Sequence, residues 1–221
     1  FGRPLNDRKT VFFVVTDSSG SPLSPIPVLT DPAGRAILGR VDLPVGEYSV
    51  TAYFLGEIPG LGYALEDPRY EPSISNAVAV VINNPPDCSG ATADPVTIWP
   101  PDKDFWPISI AGVVDPDGDE VTIAVDLIFQ DEKVGNTKPD GYVDAGDSGT
   151  VWVRAERDGN GEGRVYTVRF TASDEHGDTC QGQVRAGIVT HDQSGDLDLL
   201  DSGPPWYDSM TGERLPYRRC I

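Results

Sequence analysis

A chain of 221 residues is long enough for one large or two ordinary domains. Its 35 acidic against 17 basic side chains leave a net charge of −18, which repels nucleic acid and anionic lipid and makes a cation the natural partner. No run of about 20 apolar residues is present, which excludes a membrane-spanning helix. Two histidines are too few for a zinc cluster, and there is no Gly-x-Ser-x-Gly, no phosphate-binding glycine loop and no His-Glu-x-x-His, which leaves for an enzyme only carboxylate pairs of the kind an acidic surface supplies by chance. A hydrophobic content of 38% still supports a buried core, and 24 Gly with 20 Pro favour β structure over helix. Phe1 in place of Met reads as a processed product or a fragment, in keeping with export.

In chain order, residues 9 to 83 read as short strands between turns: Thr10 to Val15, Ile26 to Leu29, Ala36 to Leu38, Glu47 to Leu55 and Ala77 to Ile82. Ser18-Ser19-Gly20, Asp31-Pro32-Ala33-Gly34 and Pro44-Val45-Gly46 are turn formers at all-β spacing. Leu43, Gly46 and Tyr48 follow the order Leu-x-x-Gly-x-Tyr, which places a phenol where it can bond backbone as in a tyrosine corner. Thr30 through Ala36, Leu43 through Phe54 and Tyr70 through Ser75 resemble the immunoglobulin-like repeats of large bacterial surface proteins. That resemblance implies a sandwich of about seven strands; fewer are read here, so the first module, residues 1–83, is expected to lack strands. An incomplete sandwich exposes backbone donors beside an open core. A strand from another copy, or from an upstream part of a longer precursor, is expected to complete it, with a miscount of short strands as the remaining alternative.

Asn83-Asn84-Pro85-Pro86 reads as the joint, because paired prolines stop ladder pairing. Beyond it, Val96 to Trp99, Trp106 to Val114, Glu120 to Phe129, Gly149 to Glu156, Arg164 to Ala172 and Gln183 to Ile188 read as strands of a second sandwich, residues 84–192. Val121, Ile123 and Val125 should share one face, and Thr122, Ala124 and Asp126 the other. Cys88 and Cys180 bracket this module, either as a disulfide closing a loop of about 90 residues or as two buried thiols.

Asp115-Pro116-Asp117-Gly118-Asp119-Glu120 gathers carboxylates on one tight turn, where they repel unless a cation or solvent separates them. Oxygen-only ligation at variable geometry suits Ca2+ better than Zn2+ or copper. A solvated acidic hairpin at the Asp-Gly turn is the plain alternative. A second patch, Asn136 to Asp147, can be laid on the twelve-residue calcium loop with Asp140, Asp144 and Asp147 as ligands, although Lys138 stands where a ligand belongs; here the alternative is a long acidic hairpin loop. Asp131 and Glu132 lie close enough in sequence to join either position. Cys88 through Ala91, Trp99-Pro100-Pro101, the Asp-Pro-Asp-Gly-Asp turn, Phe129 through Glu132, Arg154 through Arg157, Gly163 through Tyr166 and His191-Asp192-Gln193 resemble cadherin-like repeats of secreted bacterial proteins. That resemblance implies calcium-stiffened extracellular architecture with no catalytic residues.

Residues 193–221 read as an extended tail. Asp196-Leu197-Asp198-Leu199 alternates as a donor strand should, with Leu200 next and Trp206 following, so these residues are expected to contact a second copy. A tail folded back on its own chain is the alternative, and Cys220 is left over as a free thiol or an intermolecular bridge. The expectation is therefore an all-β chain of two tandem immunoglobulin-like/cadherin-like β-sandwiches, the first strand-deficient. Its function would be that of a non-enzymatic extracellular or cell-surface structural protein that binds Ca2+ and polymerises head to tail with copies of itself. The alternative is an adhesin or carbohydrate-binding segment presenting Trp99, Trp106, Trp152 or Trp206 to a surface glycan, although four tryptophans also serve as core.

Overall fold

The computed structural model describes residues 8–62, 64–136, 138–159, 161, 163–188 and 201–216. The chain is all-β among its described residues and divides into two compact units between Asn83 and Asn84. Among the described residues no helix is long and apolar enough to cross a membrane.

In the first unit the apolar runs pair as one antiparallel sheet. Strand β1 (Thr10–Asp17) lies between β2 (Ile26–Leu29) and β3 (Gly46–Phe54). Strands β4 (Gly56–Glu57) and β5 (Ala64–Leu65) form a separate two-stranded ribbon, while β6 (Ser73–Ile74) and β7 (Val78–Ile82) both pair with β3. The register, Phe13 opposite Ile26, Val15 opposite Val50 and Tyr48 opposite Val80, puts these apolar side chains on one face. Of these six, Val15 is buried and the others are half-covered. Among the described residues of this unit the buried apolar side chains are Val14, Val15 and Ile58. The expected strand at Ala36 to Leu38 does not form. The Asp31 carboxylate instead closes a turn, accepting the amides of Ala33 and Arg35 at 2.9 Å, and Ile37 beyond it is 72% exposed. The Tyr48 hydroxyl donates to the Pro44 carbonyl at 3.0 Å, a bond back to upstream backbone of the tyrosine-corner kind.

The second unit is a two-sheet sandwich. Its strands are β8 (Thr92–Asp94), β9 (Thr97–Ile98), β10 (Phe105–Ala111), β11 (Thr122–Gln130), β12 (Gly141–Val143), β13 (Thr150–Arg154), β14 (Arg164–Ser173), β15 (Thr179–Ile188) and β16 (Tyr207–Asp208). One sheet runs β12-β13-β10-β8 and the other β16-β11-β14-β15-β9. Fifteen buried apolar side chains drawn from both sheets form its core, Ile108, Val153, Tyr166 and Phe170 among them. Cys88 and Cys180 are joined in a disulfide, 92 residues apart in sequence, against the edge of that core.

A bulge decides where the rest of the chain goes. Along β11, Ile123 and Val125 face the core as their alternation predicts, but the pairing with β14 slips between Val125 and Leu127. One extra residue reverses the faces, so Ile128 enters the core while Leu127 and Phe129 point the other way. Trp206 and Leu215 cover Phe129 there, and β16 pairs with the end of β11 through Phe129 opposite Asp208. The described part of the tail, residues 201–216, thus packs on its own second unit.

Candidate metal centre

The acidic turn lies between β10 and β11. Gly118 adopts φ +87°, a left-handed conformation that lets the loop reverse tightly. Asp115 Oδ1 accepts the Asp117 amide at 2.8 Å and the Asp119 amide at 3.4 Å, which folds the loop around that carboxylate. As a result Asp115, Asp117 and Asp119 each offer an oxygen within 4.8 Å of the other two. Asp117 holds the chain's entry into the unit, its two oxygens accepting Asn84 N at 2.7 Å and Asn84 Nδ2 at 2.9 Å. Oδ2 of Asp115 and Oδ2 of Asp119 are shielded from solvent and accept no hydrogen bond among the described residues. Shielded carboxylate oxygens left without donors, in an all-oxygen set, fit a hard divalent cation such as Ca2+. Glu120 is exposed and stands outside this group.

The second acidic patch is organised differently. Asp140 is fully buried, and its Oδ2 accepts Arg164 Nη1 at 2.7 Å and Gln130 Nε2 at 2.9 Å. Arg164 Nε also donates to Glu132 Oε2 at 3.1 Å, so one buried guanidinium answers two carboxylates. Tyr166 completes the cluster by donating its hydroxyl to the Arg154 carbonyl at 2.8 Å, and burial pushes that phenol well above its usual range. Asp144 accepts the Trp152 indole N–H and the Gly146 amide, both at 2.7 Å, and the indole bond holds its carboxyl below the ordinary range. Asp147 accepts the Gly149 amide at 3.0 Å and the Thr150 hydroxyl at 2.8 Å. Asp140, Asp144 and Asp147 therefore serve separate partners, and among the described residues they do not gather around a common point. A guanidinium supplies the positive charge that the loop pattern assigned to an ion.

Asp131 lies at the far end of β11 from Asp119, about 30 Å away along an extended strand. Its Oδ1 accepts the Val165 amide at 2.9 Å and its Oδ2 the Ser202 amide at 3.0 Å, so it clips the tail to β14. Burial raises its carboxyl above the usual range, and the neighbouring charges of Asp201 and Glu132 add to that. Asp196, Leu197, Leu199 and Leu200, the expected donor strand, lie outside the described residues. Trp206, expected at a contact between copies, is 9% exposed, with its ring edge-on to Phe129 of its own chain at 6.2 Å. Sequence reading missed Asn84, Arg164, Glu175 and His176. His176 Nε2 stands 3.6 Å from Asp119 Oδ2, a proximity no spacing within either segment foretells.

No protein-family pattern matches the chain, and no curated protein does. Among solved structures, the chain is similar to chicken VE-cadherin EC1-2, at 16% identity over 87% of this chain and 94% of that one, with a TM-score of 0.32. It is also similar to the tandem Ig repeats of Dlar, at 11% identity over 81% and 82% of the two chains, with a TM-score of 0.24. Neither likeness bears on what this chain does.

Proposed function

We propose that the chain is a non-enzymatic extracellular structural protein, a subunit of a head-to-tail filament in which the first unit is completed by a strand from another copy. One observation carries this reading: the sheet of the first unit presents an apolar face on which Phe13, Ile26, Val28, Val50 and Val80 are only half-covered. An added strand would cover that face and pair the outer edge of β2, which among the described residues pairs with β1 on its other side. Calcium at Asp115, Asp117 and Asp119 would neutralise the loop's mutual repulsion while Asp117 holds Asn84, stiffening the chain where it enters the second unit. The disulfide agrees with an extracellular setting.

The test is negative-stain microscopy with sizing of the intact chain and of the Leu197→Asp/Leu199→Asp variant. Truncating the whole tail is avoided, because Trp206 and Leu215 belong to the second unit. Fibres from the intact chain, lost in the variant while both units still unfold cooperatively, would support strand donation. Monodisperse monomers from the intact chain would overturn it.

A further inference from the structure

We propose that Asp119 also belongs to a second, nitrogen-bearing cation position, completed by Glu175 and His176, which takes a borderline divalent transition ion such as Zn2+ in preference to Ca2+. The three side chains come from two loops of the second unit: Asp119 from the turn ahead of β11, Glu175 and His176 from the turn between β14 and β15. Asp174 fixes the latter turn, its Oδ1 accepting the amides of His176 and Asp178, both at 2.9 Å. A carboxylate oxygen of Asp119, one of Glu175 and a ring nitrogen of His176 then lie within 4.8 Å of one another.

Asp119 Oδ2 is the atom that points to an ion. It is shielded from solvent and accepts no hydrogen bond among the described residues, and His176 Nε2 faces it at 3.6 Å, too far for one. Two ligands of a tetrahedral zinc, with bonds of about 2.0 to 2.2 Å, stand about 3.3 to 3.6 Å apart. A small rotation of the exposed His176 or Glu175 side chain closes the difference. Imidazole with two carboxylates suits zinc, copper or nickel, whereas calcium takes oxygen donors, so the two positions sharing Asp119 differ in the ion they select. Three protein ligands also leave a coordination place open to water.

Zn2+ affinity is measured by competition with a chromophoric chelator for the intact chain and for the His176→Ala, Glu175→Ala and His191→Ala variants, with a Ca2+ titration of each. His176→Ala and Glu175→Ala are expected to weaken Zn2+ binding by about tenfold or more, and His191→Ala to leave it unchanged. Co2+, as a coloured substitute, should lose its visible absorption in His176→Ala. An intact chain that does not bind Zn2+, or a His176→Ala variant that binds it as before, would overturn the proposal. The Ca2+ titration separates this outcome from the calcium reading: loss of the Ca2+ response alone leaves the nitrogen-bearing position standing.

Discussion

The two units use the same kind of antiparallel strand and differ in what lies across from the sheet. In the first, residues 1–83 carry 6 basic and 9 acidic side chains, a net charge of −3, and one sheet with a small ribbon buries little. In the second, residues 84–221 carry 11 and 26, a net charge of −15, yet a second sheet, a disulfide and a buried guanidinium hold it closed. Charge alone would rank their stabilities the other way. What decides is apolar area removed from water, and the second unit has two sheets to remove it with.

The largest separation of the two should come from the disulfide. Replacing Cys88 and Cys180 with Ala should cost the second unit roughly 4 to 5 kcal/mol, the chain entropy of the loop they close. Urea unfolding should show its transition move to lower urea while that of the first unit stays in place; a shift of both would mean that the units do not unfold separately. Next comes the buried ion pair. Arg164→Met removes the nearest charge partner of the fully buried Asp140 carboxylate, leaving it Gln130 and, at 3.7 Å, Arg154, and should cost about 3 to 5 kcal/mol, much of it recovered by adding Asp140→Leu. Failure of the second substitution to rescue would place the loss in packing rather than in charge.

A matched pair of phenylalanines compares the cores directly. Phe170→Ala empties a fully buried site in the second unit and should cost about 3 to 5 kcal/mol, whereas Phe13→Ala on the half-covered sheet of the first should cost about 1 kcal/mol. If copies complete that sheet, the cost of Phe13→Ala should rise in assembled material. Calcium should act on one unit only. At a hundredfold excess over its dissociation constant it should stabilise the second unit by about 2.7 kcal/mol, an effect abolished in Asp115→Asn/Asp117→Asn and absent from the first unit's transition.

Much of this contrast was legible in the residues. The unbroken β-branched and aromatic run of Val11 through Val15, the Leu43-x-x-Gly46-x-Tyr48 order and the long runs of β14 and β15 announce strands, because such side chains fit a pleated surface. Asp115, Asp117 and Asp119 were legible as a group because all three lie within one turn. Strands of two or three residues, such as β8, β12 and β16, carry too few alternations to register. The bulge at Asp126 was not legible either, since it depends on pairing with β14, and it alone turns Phe129 outward to receive Trp206. The partner of Asp140 was not legible for a related reason: its loop spacing resembles that of a calcium ligand, and only the fold brings Arg164 to it.

The smallest effects are in the pH dependence, and they have opposite signs. Arg69 holds Asp67 of the first unit well below the carboxylate range, as the Trp152 indole does less strongly for Asp144 of the second. Each contributes stability that is present above the unfolded carboxylate value and lost as the pH falls through the lower folded one. Asp131 runs the other way. Burial holds its carboxyl up despite the amides of Val165 and Ser202, so folding favours its neutral form. The stability this gives is complete below the unfolded value, near pH 4, and declines as the pH rises through the folded value. Asp131→Asn should therefore flatten the decline in the second unit's stability just above pH 4, measured by urea unfolding at closely spaced pH values, with the first unit's profile unchanged. A variant profile parallel to that of the intact chain would assign the decline to another group.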